Sequence, residues 1–98
     1  MNIDRVQELL RAHRARLKEE FHVEEIGLFG SFVRRENASQ SDIDILVAFQ
    51  KGHKDFFNYM RVKSFLEDLT GREVDLVLKD AIKPRLQDRI LNEVEYVS

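Results

Sequence analysis

An α/β domain with a small three-stranded mixed sheet and about four helices packed on it is the fold class the sequence predicts. Two observations carry that assignment. Apolar residues spaced three and four apart take turns along the chain with short runs rich in Ile, Leu and Val, so helical and strand periods succeed each other. Two of the strand runs are separated by a helix-length segment, the signature of a parallel crossover. With 98 residues, 43% of them apolar and 35% charged, the chain can bury one core, so residues 1–98 are read as a single domain.

The elements follow in order. Ile3, Val6, Leu10, His13 and Leu17 make one apolar stripe on a helix across roughly residues 2 to 20. "VEEIGLFG" is a short strand with Ile26 and Leu28 as its apolar content. In "SFVRRENASQS", Ser31 is placed to cap a short helix and the remainder reads as loop. "DIDILVAF" is the best strand of the sequence, rich in β-branched and aliphatic residues. Asp55 caps a helix whose stripe is Phe56, Tyr59, Val62, Leu66 and Leu69, with Gly71 as its stop. "REVDLVLK" is a third strand with Val74, Leu76 and Leu78 on one face, and Pro84 opens a last helix that buries Leu86, Ile90 and Leu91. The first two strands, joined by a shorter connection, are expected to be antiparallel. The tail "EVEYVS" reads equally as an edge strand or a docking segment.

Several function classes fall away on composition. A net charge of -2 gives the chain no general electrostatic pull toward nucleic acid. The absence of cysteine removes disulfides, thiolate metal sites and cysteine nucleophiles together. "MNIDRVQELL" has neither a signal-peptide core nor a membrane span, so a cytoplasmic protein of bacterial type is expected, and the acceptor pattern Asn37-Ala38-Ser39 is read as chance. His13, His22 and His53 are scattered and read as structural or exposed. Phe57 and Met60 lie toward the far side of their helix from Phe65 and Leu69, which suits contact with a partner protein.

The chemistry lies around the second strand. Side chains alternate along a strand, so Asp42 and Asp44 share one face while Ile43 and Ile45 enter the core. Two carboxylates on one face repel unless a cation lies between them, and hard oxygen ligands suit Mg²⁺ completed by substrate phosphates. Asp75, between Val74 and Leu76, joins them if its strand is the neighbour. A three-carboxylate cluster of that kind serves two-metal phosphoryl or nucleotidyl transfer. Upstream, Gly30 lets backbone approach a phosphate and Ser31 offers a hydroxyl and free N–H groups to hold it. Read singly, each feature has a plainer explanation: a solvated strand end, a turn, a surface acid.

Gly30-Ser31, ten residues and then Asp42-Ile43-Asp44 resemble the motif of the polymerase-beta-like nucleotidyltransferase superfamily. "GSFVRRENASQSDIDILVAF" and "LTGREVDLVLKDAIKPRLQDRIL" look most like its minimal nucleotidyltransferase (MNT) members, small single domains that partner HEPN-domain toxins. The resemblance covers most of the chain and implies a nucleotidyltransferase-like core. It implies Asp42, Asp44 and Asp75 as catalytic metal ligands, Gly30 and Ser31 as the nucleotide-phosphate turn, and Arg34 as a nucleotide-binding basic residue. Arg35 stands where the family has a small residue, often glycine. The activity implied is Mg²⁺-dependent transfer of AMP from ATP to a tyrosine hydroxyl of a HEPN toxin, with protein and not nucleic acid as the acceptor. Two other readings stay open at this stage. One is an antitoxin that neutralises by binding alone; the other is the catalytic subunit of a small-molecule nucleotidyltransferase.

Overall fold

The computed structural model describes residues 2–36 and 42–98. The loop expected over 37–41 and the Asn37 acceptor pattern lie outside the described residues. Among the described residues, four α-helices, α1 (Ile3–Ala12), α2 (Arg14–Phe21), α3 (Phe56–Thr70) and α4 (Pro84–Glu93), accompany four strands, β1 (Val23–Phe29), β2 (Ile43–Phe49), β3 (Val74–Leu78) and β4 (Glu95–Tyr96). The sheet runs β3-β2-β1-β4. β1 and β2 are antiparallel and β2 and β3 parallel, as the connection lengths require. The expected three strands are therefore four: the tail is an edge strand, antiparallel to β1.

The sheet has two unlike faces. Ile26 and Leu28 of β1, Ile43, Ile45 and Val47 of β2, and Val74 and Leu76 of β3 form the main core with Val6, Leu10, Leu17, Val62 and Leu66 of the helices. Each such side chain contributes roughly 1.5–3 kcal/mol by leaving water, which makes this face the source of most of the stability. On the other face Phe29, Leu46 and Ile90 form a smaller cluster under α4, with Leu86 and Leu91 only partly buried beside it. Alternation along β2 and β3 sends Asp44 and Asp75 to this thinner face, opposite the main core.

Local departures from the expected elements have identifiable causes. The first helix is two: His13 folds its ring back to hydrogen-bond the Leu9 carbonyl at 2.9 Å and packs edge-on to Phe65, and α1 stops at Ala12. The capped start of α3 is as expected, with Asp55 accepting from the Asn58 N–H at 2.9 Å, and Gly71 (φ 69°) ends the helix. Its stripe is rotated, however. Phe56 is 72% exposed, and the buried line is Asn58, Val62, Leu66 and Thr70. Asn58 takes the inward position because its amide donates to the carbonyls of Phe21 and His53, tying α3 to the end of α2. His22 and His53, distant in sequence, stack their rings 3.6 Å apart.

The short helix expected after Ser31 is instead a single turn, in which Arg34 N–H returns to Gly30 O and Glu36 N–H to Ser31 O. Fully buried Phe32 pins that turn to the main core. Arg35 has φ 58°, in the left-handed region that a side chain enters at a cost of about 1–2 kcal/mol, which explains the small residue implied there.

Gly27 makes room for the fourth strand. A Cβ there would lie 2.7 Å from Val94 Cγ2 and 2.9 Å from the Glu95 carbonyl oxygen, while Val97 N–H bonds Ile26 O beside it. Gly27→Ala should therefore push β4 off β1, destabilising the fold by about 1–3 kcal/mol as overpacking does. Chemical denaturation measures this, and a midpoint equal to the wild type would show that the tail does not need the close approach.

Candidate active site

The parallel register sets Asp44 directly beside Asp75, one residue opposite the other. Both side chains therefore project from adjacent strands toward α4. Asp42 precedes β2 by one residue, is exposed, and still acts electrostatically on Asp44. Burial lifts the Asp44 carboxyl to about 6; the Asp75 charge adds to this, and the Ser31 backbone N–H, donating to Asp44, opposes it. A like charge beside it in a half-buried site makes the Asp44 proton harder to lose.

The glycine-serine turn lies on top of this pair. β1 ends at Phe29, whose register partner is Asp44, and Gly30 turns the chain over the carboxylate with φ 76°. A Cβ on Gly30 would overlap the Asp44 carboxylate, so only glycine fits. Consecutive amides of the turn face different acids: Gly30 N–H donates to Glu93 Oε2 at 3.0 Å, and Ser31 N–H to Asp44.

Gly30, Arg34, Asp44 and Asp75 line one cavity of about 240 Å³, whose other wall is Leu86, Arg89 and Ile90 of α4. Ser31 and Asp42 do not line it. Arg34, expected at nucleotide, bonds Glu93 and Glu36. Arg89 reaches the same cavity and feels Glu93 only at longer range. Glu93 is partly buried, which raises its pKa, but the Gly30 N–H and Arg34 hold it below the ordinary glutamate value.

Glu93 and Arg89 belong to no motif in the sequence, where the apolar residues are what marks α4. The signal that could have found them is their spacing of four, which puts both on one side of the helix.

Among the described residues no three acidic or imidazole side chains form a ready-made cage for an ion. The donor set nonetheless has the right chemistry for a hard divalent cation. It offers carboxylate oxygens only, paired, with charge repulsion that a cation would relieve, beside a cavity open to phosphate oxygens.

Comparison with known proteins places the chain as a whole. The family model described as "Nucleotidyltransferase domain" matches residues 10–97. A protein of Thermococcus cleftensis, "Protein adenylyltransferase MntA", is 39% identical over 97 residues, covering 99% of this chain and 97% of its own. A solved structure described as a minimal nucleotidyltransferase superposes with a TM-score of 0.80 at 32% identity, covering 97% of this chain and 95% of that one. The fold is also shared, with a TM-score of 0.66 at 21% identity, by a chain of the tri-AMPylated Shewanella oneidensis HEPN toxin in complex with MNT antitoxin, where 94% of this chain and 71% of that chain are covered. A family model matched over residues 10–97 and a relative 39% identical over 97 residues are decisive: the chain belongs to the nucleotidyltransferase domain family.

Proposed function

We propose that the chain is the antitoxin of a HEPN/MNT pair, a cytoplasmic enzyme that moves AMP from ATP to a tyrosine hydroxyl of its partner toxin in the presence of Mg²⁺. The observation that carries this is the Asp44–Asp75 register pair beneath the Gly30–Ser31 turn. The Thermococcus relative, named for protein adenylylation, supports the choice of AMP and of a protein acceptor.

Asp42, Asp44 and Asp75 would hold the divalent cation, which when bound neutralises the phosphates and makes the acceptor hydroxyl more acidic. The acceptor oxygen bonds the α-phosphorus as the bond from that phosphorus to the bridging oxygen breaks, releasing pyrophosphate. Asp75, exposed at the mouth of the cavity, is placed to take the hydroxyl proton. Gly30 leaves the approach to Asp44 open, Ser31 supports the phosphate turn, and Arg34 and Arg89 put positive charge on the rim.

One feature favours contact as a second means of neutralisation. Phe57 is 80% exposed and Met60 43% exposed, on the outward side of α3. The two readings separate in one experiment. Wild type and Asp42→Ala/Asp44→Ala are titrated against the HEPN toxin with and without ATP and Mg²⁺, and both proteins are weighed. Wild type should add AMP mass to the toxin and silence it at substoichiometric ratios, while the double variant binds without protecting. Full protection by the double variant at equal ratios, with no added mass, would leave binding alone as the mechanism.

Arg89→Ala should raise the KM for ATP about tenfold with kcat within a few-fold, the pattern of a lost ground-state phosphate contact. An unchanged KM in steady-state transfer would remove Arg89 from nucleotide binding.

The aspartate pair also predicts a pH dependence of stability. Asp44 binds its proton to about pH 6 in the folded, metal-free chain and to 3.8 in an unperturbed carboxyl. The folded state then holds more protons between those values, and stability falls as pH rises through about 6. Asp44→Asn keeps an acceptor for Ser31 and removes the charge. Its melting temperature without metal should exceed the wild type's at about pH 8, and the gap should close toward about pH 4. Added Mg²⁺ should raise only the wild type at the higher pH. A gap that does not change with pH in thermal melts would refute the repulsion.

A further inference from the structure

Glu93 is the last residue of α4, 63 positions after Gly30, yet its two oxygens meet the glycine turn and its arginine at once. Oε2 accepts the Gly30 N–H at 3.0 Å, and Oε1 accepts from Arg34 Nη1. The carboxylate is only 14% exposed, and Gly30 itself is buried, so each would be left without its partner inside the fold if the contact were lost. Arg34 lines the same cavity as Asp44 and Asp75. A guanidinium released there would face two carboxylates in a half-buried site, a much stronger attraction than any exposed ion pair.

We propose that Glu93 is a positioning residue of the active site, which fixes the Gly30–Ser31 turn over Asp44 and draws Arg34 away from the aspartate pair. The inference rests on the reading of that pair as the cation site, and it gives the end of α4 a task that neither the motif nor the family assignment contains. Without Glu93, Arg34 becomes the counter-ion of Asp44 and Asp75, and a divalent cation must displace it before binding. Glu36, the other partner of Arg34, is exposed and holds the guanidinium at 2.8 Å outside the cavity, too weakly to prevent the swing.

The test uses Mn²⁺ as probe, in the full chain without nucleotide, with affinity read by calorimetry. Glu93→Ala should weaken Mn²⁺ binding about tenfold, and Arg34→Ala added to it should restore the affinity to within about twofold of wild type. Restoration by removing a cation is a result that a merely structural role would not give. Glu93→Gln keeps the acceptor for Gly30 N–H while dropping the charge that holds Arg34. It should bind Mn²⁺ as weakly as Glu93→Ala while melting like the wild type, which secures the result should Glu93→Ala fold poorly. Wild-type affinity in Glu93→Gln, or a loss that Arg34→Ala does not restore, would overturn the proposal. AMP transfer by the wild type is followed separately by mass. Its absence with Mn²⁺ bound would sink the adenylylation reading and leave the role of Glu93 decided by the affinities.

Discussion

Register in the parallel ladder places Asp44 against Asp75, and two carboxylates at that spacing in a half-buried site are unfavourable for folding on their own. Much else in the chain is arranged around them. The main core is on the opposite face, where Ile43, Ile45, Val74 and Leu76 supply stabilisation that does not depend on the acids. Alternation therefore lets one strand pair serve stability and chemistry, each on its own side. The thin cluster of Phe29, Leu46 and Ile90 closes the site from below without covering it.

Held amides complete the arrangement. Gly30 passes over Asp44 because it lacks a side chain, and the turn is fixed at both amides, one by Asp44 and one by Glu93. Phe32 anchors the same turn from the core side. A turn gripped in three directions is held in one conformation over Asp44. The left-handed backbone of Arg35 is the strain that this short connection carries.

Legibility in the sequence followed the range of the interactions. The second and third strands, both caps of α3 and the side of its own strand on which each of Asp44 and Asp75 stands were readable because each depends on neighbours a few positions away. The break at His13 was not, since it needs a ring contact with Phe65, more than fifty residues on. Asn58 could not be recognised as inward-facing, because its partners are carbonyls of Phe21 and His53. Of the site, the glycine turn and the acids stood out by residue type and spacing. Arg89 and Glu93 did not, because only the docking of α4 on the thinner face gives them anything to touch. The residues expected at the nucleotide, Gly30, Ser31 and Arg34, do gather at one end of the sheet, though Arg34 has carboxylate partners that no spacing rule foretells.

The clasp between Gly30 and Glu93 joins the two ends of a long loop in the chain. On a ribosome, Gly30, Ser31 and Asp44 emerge well before Glu93, at a rate of about 5–20 residues per second. Until Glu93 follows, the glycine turn has no partner for its first amide, and Asp44 lacks its neighbour until β3 has followed. The acid pair is thus formed once β3 has joined the sheet, and its glycine turn is secured later, when α4 docks. The turn over Asp44 is therefore secured only by the part of the chain that follows β3.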